Sequence, residues 1–232
     1  MAAGTSSRFA PLSYEKPKGL LKVKGEILIE RQIRQLQEAG IADITVVVGY
    51  MAELFDYLKD KFGVKIVLNE DYNRYNNTSS LIRVIDELGD TFLCSSDNYF
   101  PDNVFLEKPE CSYYSALYAD GETDEYCLTV DEEDHIVGVT VGGSDSWYMV
   151  GHVFFNKDFS AKFREIMKKE YDRGETRLAV DADGDTASVV GDADDVARLN
   201  HDVDLGAVAR QRLVDGVVDD LIDQMVQAAR SR

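Results

Sequence analysis

Three times between residues 26 and 94, a segment of helical periodicity runs into a glycine and is followed within a few residues by a short apolar run. Glu26 to Ala39 sets Ile29, Ile33 and Leu36 on one face and stops at Gly40, ahead of Ile44 to Val48. Met51 to Phe62 stops at Gly63, ahead of Val64 to Leu68, and Ser79 to Leu88 stops at Gly89, ahead of Thr91 to Cys94. Residues three and four apart share a helix face, and a glycine just past a helix end adopts the left-handed conformation that terminates it. Apolar runs this short and β-branched are the pattern of parallel strands covered on both faces. The alternation predicts an α/β fold with a doubly wound, mainly parallel open sheet and right-handed crossovers.

From Tyr113 the pattern changes. Tyr113 to Tyr118, Tyr126 to Val130, Ile136 to Val141 and Trp147 to Phe155 read as four strands separated by Asp, Glu and Gly turns, a β-rich insertion or second lobe. Ala161 to Tyr171 follows as an amphipathic helix with Phe163 and Ile166 inward.

A chain of 232 residues with 44% hydrophobic content has room for one such domain and its core. Its 43 acidic against 25 basic side chains give a net charge of -18, which argues against nucleic acid or an anionic membrane surface as a partner. No apolar run approaches the ~20 residues of a membrane span and no secretory leader is present, so a cytoplasmic protein is expected. The three cysteines, Cys94, Cys111 and Cys127, lack metal-ligand spacing and fit a reducing compartment as ordinary thiols. His135, His152 and His201 have no partner at metal or triad spacing and read as surface or core residues.

The last quarter differs in kind. After Tyr171 there is no aromatic residue and after Lys169 no lysine, while residues 172–232 hold thirteen Asp, one Glu and seven Arg amid Ala, Val and Gly. Two readings account for this: an alternative reading frame downstream of about Arg177, or a genuine acidic segment. Val217 to Ala229 retains a helical pattern, whereas Asp181 to Asp195 is mostly Asp and small residues and is expected to be poorly ordered. The domain boundaries are accordingly set at 1–177 for the folded domain and 178–232 for the atypical acidic segment.

The residues that carry chemistry begin at the N-terminus, Ala2-Ala3-Gly4-Thr5-Ser6-Ser7-Arg8-Phe9-Ala10-Pro11-Leu12, followed by Lys16-Pro17-Lys18-Gly19-Leu20. Small residues let backbone N–H groups approach phosphate oxygens, and Arg8 and Lys18 are spaced to reach into the same loop, one as a forked cation and one as a point charge. The segment matches neither a P-loop nor a dinucleotide-binding glycine pattern. Asp97 ends the strand, taken here as Thr91 to Ser96, at the carboxyl edge where doubly wound sheets bind ligands, and a lone carboxylate there suits Mg²⁺ as well as a turn cap.

The N-terminal pattern resembles the nucleotidyltransferase superfamily that makes nucleoside-diphosphate sugars and CDP-alcohols. Leu28 to Ile33, Val48 to Met51, Phe55 to Leu58, Tyr75 to Leu81 and Ser96 to Tyr99 are similar to the bacterial CTP:phosphocholine cytidylyltransferase group. The resemblance spans roughly residues 2–177 and implies a Rossmann-like, GT-A-like sheet. It also implies Mg²⁺-dependent transfer of CMP from CTP to phosphocholine or a similar small phospho-alcohol, releasing pyrophosphate. By motif position, Arg8 would hold the β- and γ-phosphates and Lys18 the α-phosphate and the incoming phosphate. Ala2, Ala3 and Gly4 would contact base and sugar, Asn77, Thr78 and Ser79 would read the base edge, and Asp97 would hold the metal.

A quaternary ammonium needs an aromatic cage, because cation–π attraction requires no hydrogen bond. Tyr126 and Trp147, with Tyr148 beside it, are the residues that could supply one, or they pack in the sheet as strand aromatics do. The family places a hydrophobic strand directly before the Ala-Ala-Gly segment and a second acidic metal ligand late in the domain. Met1 stands where that strand would finish, so the first strand is expected to be truncated, and no segment matches the second ligand. A sugar-1-phosphate nucleotidyltransferase using UTP or dTTP and a non-catalytic nucleotide-binding remnant are the alternatives.

Overall fold

The structure, a computed structural model, describes residues 1–74, 77–132, 135–172 and 208–209, with Arg8, Glu170, Asp172, Val208 and Ala209 described by their backbone alone. Strands β1 (Lys22–Val23) and β2 (Glu26–Ile27) form a small antiparallel ladder leading into helix α1 (Leu28–Glu38). Ile29, Ile33 and Leu36 turn inward as their spacing predicts, and Gly40 closes the helix at φ 81°, with Ile41 N–H donating to the Leu36 carbonyl at 3.0 Å. Strand β3 (Thr45–Val48) pairs in parallel with β4 (Lys65–Leu68), Thr45 opposite Lys65 and Val48 opposite Leu68.

The crossover between them is not the single helix expected over Met51 to Phe62. It is a 3₁₀ turn (Ala52–Phe55) followed by helix α2 (Tyr57–Phe62), which Gly63 ends at φ 70°. The turn lets Phe55 and Leu58, both fully buried, enter the same core as Ile33 and Val48. Likewise Ser79 to Leu88 is not one helix. Helix α3 (Asn77–Ile82) gives way to a 3₁₀ turn (Ile85–Glu87), and the residue that leaves helical geometry is Val84, at φ −124°, rather than Gly89.

Strand β5 (Thr91–Cys94) opens the larger sheet, which β6 (Tyr113–Tyr118), β7 (Glu122–Val130), β8 (Ile136–Ser144) and β9 (Trp147–Phe155) continue. β9 runs antiparallel to β5, β6 and β7, and β8 lies outside β7. Pairing of Thr91 with Phe155 and of Cys94 with His152 makes the β-rich insertion part of the main sheet and not a separate lobe. Helix α4 (Lys157–Asp172) is longer than the sequence suggests and lays Phe159, Phe163 and Met167 on Tyr114, Leu128 and Val153.

Met1 to Ala3 run between β3 and β5, the place of the strand expected to be truncated. Ala2 bridges in parallel to Val48 and its N–H donates to the Val47 carbonyl at 2.8 Å. On the other side Ser96 N–H donates to the Met1 carbonyl at 3.0 Å, and the Met1 amine donates to the Cys94 carbonyl. Three residues thus satisfy backbone groups of both neighbours. In the acidic segment, Val208–Ala209 form β10, parallel to β6 at Ser115 and Ala116. The expected helix at 217–229, the low-order stretch 181–195 and His201 lie outside the described residues, as does the rest of 178–232.

Candidate active site

The N-terminal loop is held by its ends. Tyr50 N–H donates to the Ala3 carbonyl at 3.1 Å and the Tyr50 hydroxyl to the Ser13 carbonyl at 3.0 Å. Gly49 permits this closeness, since a Cβ there would stand 2.9 Å from the Ala3 carbonyl oxygen and 2.5 Å from Tyr72 Cβ. Ala2 and Ala3 are buried, whereas Gly4 and Thr5 are exposed. Ser6 is buried in the left-handed region at φ 58°, and its Oγ accepts from Lys18 N–H at 3.1 Å. The loop therefore leaves the sheet edge at Gly4 and returns to its own start at Lys18.

Lys18 Nζ lies 3.0 Å from Asp97 Oδ2, with 17% and 25% of the two side chains exposed. Two residues far apart in the chain are brought together because Gly19 packs directly on Ser96. A Cβ at position 19 would stand 2.6 Å from Ser96 Oγ and 2.9 Å from Ser96 Cβ. The turn carrying Asp97 is held from other directions too. Ser95 N–H donates to the Gly151 carbonyl at 2.7 Å, and Asn98 packs so tightly on Gly151 that a Cβ there would meet its Nδ2 at 2.0 Å.

Helix α1 supplies the third wall. Gln32 Nε2 donates to the Ser95 carbonyl at 2.8 Å and lies 3.5 Å from the Asn98 carbonyl. Gln35 Nε2 donates to the carbonyls of Phe100 and Asp102, and the Arg31 guanidinium to those of Phe100 and Pro101. Arg31 also lies 4.8 Å from the Tyr99 ring centre. Sequence reading missed these residues. The signal was Gln32 and Gln35 one turn apart beside the apolar face of α1, where a buried amide needs carbonyl or donor partners.

Of the three residues expected to face the base, Thr78 and Ser79 are fully buried and Asn77 is half-buried at the first turn of α3. Asn69, at the end of β4 and 1% exposed, donates through Nδ2 to Ser79 Oγ at 2.9 Å and Ser80 Oγ at 3.0 Å. Asn69 N–H in turn donates to the Val48 carbonyl at 2.8 Å. The start of α3 is thereby tied to the strand ends that carry the N-terminal loop. Tyr75 and Asn76, part of the same motif, lie outside the described residues.

Tyr126 and Trp147 point to one face of the sheet: Tyr126 alternates with Leu128 of the α4 core, and Trp147 packs against that core. Tyr126 is 8% exposed, and its hydroxyl is buried with no hydrogen-bond partner among the described residues. Trp147 is half-buried and meets Tyr118 edge-on at 5.3 Å. Tyr148 faces the other side, opposite Leu117 and Cys127. Across residues 109–156, which include all four strands β6 to β9, there is no lysine or arginine and there are ten Asp and Glu.

The described histidines have local partners. His152 lies among Phe100, Phe105 and Tyr113, 2.9 Å from Ser115 Oγ, and His135 lies 3.2 Å from Asp131. Burial pushes the Cys94 thiol up to about 12, which disfavours its thiolate. Among the described residues no group of three or more His, Cys, Asp and Glu side chains is placed to hold a metal. A single partly exposed carboxylate, Asp97, does fit Mg²⁺, which characteristically takes one or two carboxylates and completes its shell with phosphate oxygens and water.

A MobA-like NTP transferase domain matches residues 1–109. The chain is 35% identical over 175 residues to a choline-phosphate cytidylyltransferase of Streptococcus pneumoniae, covering 75% of this chain and 76% of that protein. It is 37% identical over 175 residues to a 2-aminoethylphosphonate cytidylyltransferase of Lancefieldella rimae, covering 74% and 71%. A solved structure of CTP:phosphocholine cytidylyltransferase from Streptococcus pneumoniae superimposes with a TM-score of 0.81 at 30% identity, over 98% of this chain and 96% of that one. At this identity and coverage, the chain belongs to the nucleotidyltransferase family that includes these bacterial cytidylyltransferases.

Proposed function

We propose that the protein transfers CMP from CTP to phosphocholine or a similarly small phospho-alcohol. An oxygen of the acceptor phosphate forms a bond to the α-phosphorus of CTP as the bond to the β-phosphate oxygen breaks, and pyrophosphate leaves. Such a reaction needs in-line positioning and charge neutralisation more than it needs a nucleophilic side chain. The observation that carries this reading is the meeting of Lys18 and Asp97 beside the N-terminal loop, whose Ser6 Oγ accepts from Lys18 N–H.

In this reading Gly4 and the neighbouring backbone receive the nucleotide, Arg8 binds the β- and γ-phosphates, and Lys18 neutralises the α-phosphate and the incoming phosphate. Asp97 would hold Mg²⁺, which when bound neutralises charge on the phosphate oxygens. Asn77 has half-buried surface to offer the base, while Thr78 and Ser79 shape the pocket from behind. The cationic end of the acceptor suits residues 109–156, which hold ten carboxylates and no lysine or arginine. Trp147, half-buried, is the aromatic with surface left for a quaternary ammonium, whereas Tyr126, 8% exposed, would reach it only as a wall from behind. A triphosphate substrate and three free cysteines accord with a cytoplasmic enzyme.

The test is pyrophosphate release by the purified chain with Mg²⁺, CTP and phosphocholine, beside CTP with 2-aminoethylphosphonate and UTP or dTTP with glucose 1-phosphate. Release with CTP and phosphocholine is expected to exceed the other pairs. A circular-dichroism spectrum confirms that the assayed sample is folded, and silence from a folded sample overturns the reading.

A further inference from the structure

We propose that Gln32 is a positioning residue for the metal-binding carboxylate of Asp97, an inference that rests on the role given to Asp97 above. Asp97 sits inside a turn whose first and last residues, Ser95 and Asn98, are joined by an Asn98 N–H to Ser95 carbonyl contact of 3.4 Å. Gln32 reaches that turn from outside its own element. Its side-chain amide donates to the Ser95 carbonyl at 2.8 Å and stands 3.5 Å from the Asn98 carbonyl, so one NH₂ group faces both ends of the turn.

Gln32 is only 5% exposed, and helix α1 that carries it is packed into the core through Ile29, Ile33 and Leu36. The amide is therefore a fixed donor and not a mobile surface group. A carboxylate that carries a metal largely alone has little redundancy: its direction depends on the turn that presents it. Groups in this outer position orient a ligand, and their loss characteristically weakens metal affinity or activity about 10–100-fold. Lys18 pairs with the Asp97 carboxylate itself, and Gly19 and Gly151 pack on Ser96 and Asn98, while the backbone bonds of Ser95 N–H to Gly151 and Ser96 N–H to Met1 hold the N–H groups of the turn. Gln32 is what engages the carbonyls at its two ends from the helix.

The structure supplies its own control. Gln35, one turn along α1 and equally 5% exposed, donates through Nε2 to the carbonyls of Phe100 at 3.0 Å and Asp102 at 3.1 Å. It straps the same loop with the same chemistry, but beyond Asp97. A purely structural role would make the two glutamines equivalent.

The experiment compares Gln32→Met and Gln35→Met in the full chain, with Gln32→Asn as a milder variant that shortens the side chain. Mn²⁺ affinity is read by electron paramagnetic resonance in the presence of CTP, and melting temperature is read alongside. Gln32→Met is expected to weaken Mn²⁺ binding about tenfold while Gln35→Met stays within about twofold of the parent. Equal Mn²⁺ affinities in the two variants, at comparable melting temperatures, would overturn the proposal. If Gln32→Met does not fold, Gln32→Asn with parental Mn²⁺ affinity overturns it equally. Asp97→Asn separates the premise from the inference: unchanged Mn²⁺ affinity there removes the role of Asp97 itself.

Discussion

Lys18 and Asp97, 79 positions apart in sequence, form an ion pair of 3.0 Å at the junction of the N-terminal loop and the end of β5. In the proposed function the lysine is the partner of a phosphate and the carboxylate the partner of a cation. Their pairing keeps both charges compensated and both side chains aimed at one point.

Lys18→Ala is expected to lower kcat by about 10²–10³-fold, because it removes a charge that acts on the transition state. The side chain is partly exposed and its main restraint is the ion pair, so the melting temperature should move little. Pyrophosphate release at saturating CTP, measured beside thermal unfolding, checks both halves. Parental turnover in the variant would remove Lys18 from the mechanism.

Gly19→Ala should be costly for a residue so small. The added methyl would stand 2.6 Å from Ser96 Oγ and 2.9 Å from Ser96 Cβ, so the Lys18 segment and the Asp97 turn must move apart. Overpacking of this kind costs about 1–3 kcal/mol, and here it also separates the ion pair. Urea unfolding is expected to show the destabilisation, and turnover should fall further than stability alone accounts for.

Asn69→Ala removes the side chain that donates to both Ser79 and Ser80 and accepts from Asp71 N–H at 3.0 Å. Leaving buried hydroxyls without that partner costs about 1–3 kcal/mol. The start of α3 should loosen with it, so the expected signature is a raised KM for CTP together with a lowered melting temperature. A change in stability with an unchanged KM would show that α3 does not approach the nucleotide.

Glu30 gives a pH-dependent test. Burial raises its carboxyl, but the hydrogen bonds from Lys61 at 2.7 Å and Tyr57 at 2.9 Å, with the charges of Lys61 and Arg34, outweigh this and hold it below the ordinary carboxylate range. A lowered folded-state value means stability that is present above the unfolded carboxylate range and lost as pH falls through the folded value. Glu30→Gln should therefore be destabilised by about 1–2 kcal/mol at pH 7. Denaturant midpoints of parent and variant should converge as the pH is lowered below about 4.

Trp147→Ala is expected to raise KM for phosphocholine about tenfold and leave KM for CTP unchanged, as loss of one cation–π wall would. Initial rates with each substrate varied in turn separate the two constants. Equal changes in both would assign Trp147 to packing against Tyr118 and the α4 core instead.

The chain's local code determined a good deal by itself. Alternating helix and strand segments, the ends at Gly40 and Gly63, the start of strand β5, and strands β6 and β9 to the residue follow from apolar periodicity and backbone preference, both of which act within a few positions. The N-terminal loop motif likewise announces its chemistry, because small residues and two cations at fixed spacing are local facts. Elsewhere local signals misled: the apolar stretches 51–62 and 79–88 break into 3₁₀ turns so that Phe55 and Ile85 can reach their cores.

Only the tertiary structure decided that β9 returns to β5, which merges the insertion with the main sheet, and that Met1 to Ala3 bond to both β3 and β5. It also decided which residues build the site around Asp97. Gly19, Gln32 and Gly151 are unremarkable letters in the sequence. They matter because Ser96, Ser95 and Asn98 lie against them in space, a consequence of close packing between segments that no short-range preference encodes.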